Sequence, residues 1–100
     1  MSSNLIVSLL TAKTLTRKNF PKWKSNIYLI FITENLRFVL TEERPQKPSS
    51  NATQRTREVY DRWIIANNKA KGYMLASMSD TIRSKLEGKD TAFEVMDALQ

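Results

Sequence analysis

The sequence predicts an all-α protein, a compact bundle of four or five helices around one long central helix. Apolar residues recur every three or four positions over residues 59–78, a segment without proline, and this spacing places them on one face of a helix. With upstream turns from about Thr53, this helix would have about 26 residues and a length of roughly 39 Å. Because a compact domain of this size has a radius of gyration of about 13 Å, the remaining segments must lie along the helix.

The apolar stripe of this central helix supplies the first predicted core residues. They are Tyr60, Trp63, Ile64, Ala70, Met74 and Met78, and Asn67 is the only interruption. Large aromatic rings dominate core energetics. We therefore predict that the aromatic side chains on these helical faces pack inside the protein rather than stack on nucleobases.

The composition excludes several kinds of functional site. One hundred residues are enough for one domain. The absence of cysteine and histidine excludes disulfides, thiol nucleophiles, histidine acid–base catalysis and zinc sites with nitrogen and sulfur ligands. The two glycines, Gly72 and Gly88, form no phosphate-binding loop, and we interpret the adjacent Glu42 and Glu43 as solvated loop charges. We predict no catalytic residue, no metal site, no cofactor and no enzymatic activity.

The amino-terminal segment has an unbalanced charge. The chain carries a formal net charge of +6, and its first 24 residues contain five bases and no acid. We interpret residues 1–19 as a basic arm, with or without ordered parts, that precedes a helical domain over residues 20–100. Such a segment can hold RNA or DNA through the phosphates, although a solvated arm is the simpler interpretation. The candidate nucleic-acid contacts are Lys13, Arg17, Lys18, Lys22 and Lys24.

An apolar run at residues 5–10 lies within this arm. It is compatible with a short helix or a strand that docks on the core or on a neighbouring molecule. The run is too short to cross a bilayer, and it lacks the flanking pattern of a signal peptide. We therefore expect no membrane contact and a cytoplasmic location.

The segments before the central helix predict two helices and a loop. The first helix covers about residues 21–34, since Pro21 suits a first helical turn. Asn35 marks a bend, a brief second helix follows at about residues 36–40, and residues 41–50 form a loop with two prolines. The apolar face of the first helix consists of Phe20, Trp23, Ile27, Ile30 and Phe31.

Two short helices are predicted after the central one. Ser77 or Ser79 can cap the first of them, which ends near Gly88. Thr91 and Glu94 have the spacing of a capping box and begin the second.

The last helix is apolar on one face and is still in pattern at the final residue. Such a face needs a cover, so the sequence suggests either a truncated domain or one completed by another chain. Together with the apolar run of the arm, it defines the candidate self-association residues Phe93, Met96, Leu99, Leu5, Ile6 and Leu9.

Several short motifs, taken in order, resemble a known family. They are Asn19-Phe20, Trp23-Lys-Ser-Asn26, Asn35-Leu-Arg-Phe-Val-Leu40, Tyr60-Asp-Arg-Trp63 and Met74-Leu-Ala-Ser-Met-Ser79, followed by Thr91-Ala92 and Met96-Asp-Ala-Leu-Gln100. Over about residues 15–100 the sequence resembles the Gag polyprotein of copia-type LTR retrotransposons, particularly those of plants.

The resemblance implies an all-helical domain from the amino-terminal part of the capsid region. Proteins of this family self-associate into virus-like particles that enclose the element's RNA. The resemblance also implies that five residues are core positions: Phe20, Trp23, Tyr60, Trp63 and Met74. The chain has no counterpart of the family's Cys/His zinc knuckle, since it contains neither residue type.

Three functional hypotheses follow from these patterns. The first is a structural self-association domain of a Gag or capsid protein, or of a short domesticated derivative, in which a two-fold dimer would use the same patch twice. The second is a helical module that binds nucleic acid through its basic arm. The third is an adaptor or interfering protein that binds a cellular protein or a full-length Gag.

Overall fold

The computed structural model describes residues 14–16 and 18–100, and this part of the chain is an all-α bundle, as predicted. It contains five helices and no strand: α1 (Phe20–Thr33), α2 (Phe38–Thr41), α3 (Gln54–Ala76), α4 (Asp80–Leu86) and α5 (Ala92–Leu99). The radius of gyration is 14.6 Å, and the extents are 48 × 32 × 19 Å. The smallest extent corresponds to about two helix diameters.

Helix α3 is the centre of the bundle, because each of the other four helices contacts it. It begins where the sequence predicts, since the Thr53 hydroxyl accepts a hydrogen bond from the Thr56 backbone N–H at 3.1 Å. Its 23 residues end at Ala76, so Met78 of the predicted stripe lies just beyond the helix. Met78 is nevertheless buried in the core.

The first nine residues of α3 extend beyond the core. Residues 54–62 include no buried side chain, and the core face begins at Trp63. The prediction that Tyr60 is a core residue is therefore wrong, because this ring is only half-buried on the extension. Phe20 and Ile64 are also half-buried, but both pack against the core.

The core is one cluster built from all five helices. It contains the other predicted core residues, Trp23, Ile27, Ile30, Trp63, Met74 and Met78. Helices α2 and α5 contribute Val39, Ala92, Val95 and Met96 to this core, none of which the sequence assigned to it.

Helix α1 contacts the second half of α3 at both of its ends. Near its start, the Trp23 indole N–H donates to the Ser77 hydroxyl at 2.8 Å, and this hydroxyl donates to the Met74 carbonyl at 2.8 Å. Beyond its end, the Glu34 carboxylate accepts from the Tyr73 hydroxyl at 3.0 Å and pairs with the Lys69 ammonium at 3.2 Å. These contacts fix both ends of α1 on α3.

The end of α1 explains why the chain bends at Asn35. Asn35 has φ 57°, a left-handed conformation that asparagine adopts more readily than most residues. The Leu36 N–H donates to the Phe31 carbonyl at 2.8 Å and the Asn35 N–H donates to the Ile32 carbonyl at 3.3 Å. This pair of bonds is a Schellman motif, which terminates α1 and turns the chain toward α2.

Part of the predicted basic arm belongs to the folded domain. Leu15 is only 1% exposed, its N–H donates to the Ser77 carbonyl at 2.8 Å, and its carbonyl accepts from the Ser79 N–H at 3.3 Å. The Asn19 side chain closes the following turn through bonds to Thr16 and Thr14. Leu5, Ile6, Leu9, Lys13 and Arg17 lie outside the described residues.

Asn67, which interrupts the apolar stripe, anchors α5. Its side chain is buried, the amide oxygen accepts from the Ala92 N–H at 2.8 Å, and the amide nitrogen donates to the Asp90 carbonyl at 3.1 Å. The Thr91 hydroxyl caps α5 by accepting from the Glu94 N–H, whereas the Glu94 carboxylate bonds to the N–H of Asp90 and not to that of Thr91. One of the two predicted capping-box bonds is therefore present. The other, from the Glu94 carboxylate, goes to the N–H one residue before the cap.

Candidate association surfaces

The three predicted self-association residues of the last helix differ in their exposure to solvent. Phe93 is 52% exposed, Leu99 is half-buried against the core, and Met96 is only 3% exposed. The prediction that Met96 forms part of an open surface is wrong. Helices α2 and α3 both pack on α5 and cover the face that carries this side chain.

Three neighbouring surface cavities, which share some of their lining residues, lie beside α3 between Glu58 and Lys69, and together we call them the Trp63 groove. Their volumes are about 320, 300 and 500 Å³. The first cavity shares Trp63 with the second, and it shares Phe38 and Arg62 with the third. The apolar side chains that line the groove include Leu36, Phe38, Val59, Trp63, Ile65 and Phe93.

Three side chains of this groove are large, apolar and open to solvent. Val59 is 51% exposed, Ile65 is 66% exposed and Phe93 is 52% exposed. In the described part of the chain only Leu29 and Ile32, both on α1, are comparably exposed large hydrophobic residues. Clustered apolar exposure of this kind marks interaction sites more often than scattered single residues do.

The groove also concentrates negative charge. It is lined by seven of the ten acidic residues in the chain, but by only three of the sixteen basic residues. The local balance is therefore negative although the chain as a whole is positive. The acidic residues are Glu34, Glu42, Glu43, Glu58, Asp61, Asp90 and Glu94, and the basic ones are Arg44, Arg62 and Lys69.

Trp63, which lines the groove, has a buried indole N–H that lacks a partner in the described part of the chain. Trp63 is 4% exposed, and its Nε1 is buried without a hydrogen-bond acceptor among the described residues. An unsatisfied buried donor costs about 1–3 kcal/mol. Trp23 is also buried, but its indole N–H has the Ser77 hydroxyl as an acceptor.

The predicted basic residues are not equivalent in the structure. Lys18 and Lys22 are exposed, one in the turn before α1 and the other in its first turn. Lys24 is half-buried: its ammonium donates to the Gln100 side-chain oxygen at 2.6 Å and lies 5.6 Å from the Tyr28 ring centroid. Lys24 is therefore engaged within the fold, and of the three predicted residues that the structure describes, Lys18 and Lys22 are the exposed ones.

At one edge of the groove, the Glu34 carboxylate pairs with the Lys69 ammonium and accepts a hydrogen bond from the Tyr73 hydroxyl. The Tyr73 hydrogen bond and, after it, the Lys69 ammonium lower the pKa of the Glu34 carboxyl below its usual 4.5. Burial, followed by the bond to Glu34, raises the pKa of Tyr73. Both shifts favour an ionised carboxylate beside a neutral phenol, which is the arrangement that this contact requires.

Sequence patterns did not predict the groove, and two signals were available. Val59 and Ile65 are apolar residues of α3 that do not belong to the predicted stripe, and such off-stripe residues are the first signal. Glu42 and Glu43 were interpreted as solvated loop charges. The structure places both beside Trp63.

Two further kinds of feature that bear on function are clusters of metal ligands and membrane-spanning helices. No three His, Cys, Asp or Glu side chains in this part of the chain are grouped so that they could hold a metal ion. None of the five helices has both the length and the apolar character needed to cross a membrane.

Comparisons with protein-family models, with curated proteins and with solved structures found no match for this chain. The resemblance to Gag therefore stays a prediction from sequence motifs. The groove and the two exposed lysines remain the features from which function can be argued.

Proposed function

We propose that the protein is a structural self-association domain without catalytic activity, of the kind that the resemblance to copia-type Gag implies. The Trp63 groove is the observation that supports this most strongly. Its three neighbouring cavities each carry one exposed apolar side chain: Val59, Phe93 and Ile65. A second copy of the chain is the proposed cover.

The apolar side chains supply the driving force in this proposal. Burying an exposed apolar side chain is worth roughly 25 cal/mol per Å², or about 1.5–3 kcal/mol for a residue such as isoleucine. Ile65, at 66% exposure, is the most exposed large hydrophobic residue in the described part of the chain. Its removal should therefore weaken association more than removal of an equally exposed residue elsewhere.

The test compares Ile65→Ser with Leu29→Ser. Leu29 is 50% exposed and lies on α1, and it does not line the groove. We expect Ile65→Ser to raise the dissociation constant roughly tenfold or more, as measured by sedimentation over a concentration series. Leu29→Ser should stay within about twofold of the wild type. Equal effects of the two substitutions would contradict the assignment of the groove as the interface.

RNA contact is a second role that the resemblance implies. Exposure of Lys18 and Lys22 supports it, because ammonium groups in solvent can reach phosphates. RNA retention should then fall steeply with salt and disappear when both lysines are replaced by glutamate.

The proposed setting is the cytoplasm, and the proposed partners include a full-length Gag or a cellular protein that covers the same groove.

A further inference from the structure

We propose that copies of this chain associate head to tail, with the basic end of one copy in the acidic Trp63 groove of the next. The basic end is defined here as the surface carrying Lys18 and Lys22. This inference rests on the proposed self-association and specifies its geometry.

The basic end is held far from the groove of its own molecule. Leu15 bonds to Ser77, and Trp23 bonds to the same residue, so the turn before α1 is fixed at the carboxyl end of α3. The groove follows α3 from about Val59 to Lys69, which lie 18 and 8 residues before Ser77, or about 27 and 12 Å along the helix axis. Lys18 and Lys22 are therefore too far from the Val59 end of the groove in their own copy, and a contact with that end must join different molecules.

The charges of the two surfaces are complementary. Glu42 and Glu43 line the groove where it adjoins Trp63. Asp80 follows Ser79, whose N–H bonds to the Leu15 carbonyl, and the Asp80 carboxylate is paired with Arg83 at 3.3 Å. Arg55 and Arg57 lie on the extension of α3 and do not line the groove, and Arg57 donates to a loop carbonyl. Complementary fields of this kind fix orientation and accelerate encounter.

The apolar parts of the two surfaces also match. Lysine stems can cover apolar side chains while their ammonium groups stay near water. Half-buried Phe20 adjoins the basic end, and exposed Val59 and Phe93 line the groove.

This geometry differs from the two-fold dimer suggested by the sequence. A head-to-tail contact uses two different patches, so each copy still presents one open groove and one basic end. Such heterologous contacts continue into a ring or an open chain. The assembly should therefore grow beyond a dimer and weaken as salt screens the exposed charges.

Two variants test the pairing of the surfaces. Val59→Arg obstructs the groove at an exposed position, and the double variant Lys18→Glu with Lys22→Glu reverses the basic end. We expect each variant alone to lose association on the order of tenfold or more. An equimolar mixture should form a 1:1 dimer and stop there, because one intact groove and one intact basic end remain.

The control is the double variant Lys71→Glu with Lys85→Glu, which changes the net charge by the same amount elsewhere. It should associate as the wild type does. Circular dichroism and thermal unfolding establish that all variants are folded. Light scattering then gives the masses of the separate and mixed samples.

The outcomes separate the geometry from the proposed function. If the wild type self-associates and both variants also do so, the head-to-tail geometry is overturned but self-association stands. The same conclusion follows if the wild type self-associates and the mixture of variants forms no dimer. A wild type that is monomeric at every concentration overturns the proposed function and this inference with it.

Discussion

The two tryptophans illustrate how one hydrogen bond distinguishes similar core residues. Trp23 and Trp63 are both buried, but only the N–H of Trp23 has an acceptor within the described chain. Periodicity assigned both rings to the core and could not distinguish them. The difference arises because Ser77 lies 54 residues after Trp23 and comes close to it only in the folded structure.

Replacement of each tryptophan by phenylalanine should give unequal losses of stability. Both substitutions shrink a buried ring, but Trp23→Phe also removes a satisfied hydrogen bond, whereas Trp63→Phe removes an unsatisfied donor. We expect Trp23→Phe to lower the free energy of unfolding by about 1–2 kcal/mol more than Trp63→Phe does. Urea denaturation measures both values. A larger loss for Trp63→Phe would show that its indole N–H has an acceptor.

Glu34 should make the stability of the fold dependent on pH. Because its pKa is lowered in the folded protein, its contribution is present above pH 4.5 and is lost as the pH falls through the folded-state value. Glu34→Gln should be less stable than the wild type at pH 7, and this difference should shrink on acidification below about pH 4.5. Glu87→Gln, at an exposed position, is the control. A difference that stayed constant from pH 7 to pH 3 would contradict the assignment.

At the scale of elements, local signals predicted where helices begin but not how they pack. Thr53 and Ser79 accept hydrogen bonds from the helices that follow them, and Asn35 ends α1 through its left-handed backbone. These features depend on neighbours in sequence. The sequence predicted that α3 begins near Thr53, but not that residues 54–62 extend beyond the core. The apolar pattern around Tyr60 is the same whether or not another helix covers it.

Asn67 shows most clearly what apolar periodicity in the sequence cannot predict. The sequence presented it as a break in an apolar stripe, whereas in the fold it satisfies two backbone groups that belong to Asp90 and Ala92. Buried polar residues of this kind depend on partners distant in sequence, and a helical pattern carries no information about them.

The attachment of α5 should therefore depend on Asn67. Asn67→Ala leaves the Ala92 N–H and the Asp90 carbonyl unpaired, and we expect a loss of about 2–4 kcal/mol. Amide exchange should show reduced protection in α5 before the rest of the bundle. Asn68→Ala, at the exposed neighbouring position, should change stability by no more than about 0.5 kcal/mol. Equal losses at the two sites would contradict the anchoring role.

At the scale of the whole molecule, the fold separates charges that the sequence intersperses. Composition predicted a net positive chain with a basic amino-terminal quarter. Only the fold brings Glu34, the Glu42–Glu43 pair, the start of α3 and the residues before α5 to one groove. The acidic groove could not be predicted, because its members come from four separate parts of the chain.

The charge separation gives the association a specific dependence on salt. An interface built from apolar surface alone would be little affected by moderate salt. An interface with exposed lysines facing exposed carboxylates weakens as the Debye length falls from about 30 Å at 0.01 M to about 8 Å at 0.15 M. Salt therefore distinguishes the proposed head-to-tail contact from a purely hydrophobic one.

Light scattering of the wild-type protein over a concentration series, at low and at moderate salt, tests self-association most directly. We predict a mean mass that exceeds the 11.6 kDa of one chain, rises with protein concentration and falls toward 11.6 kDa when salt is added. A mass of 11.6 kDa at every concentration and in both salts would contradict self-association and leave the Trp63 groove without the proposed partner.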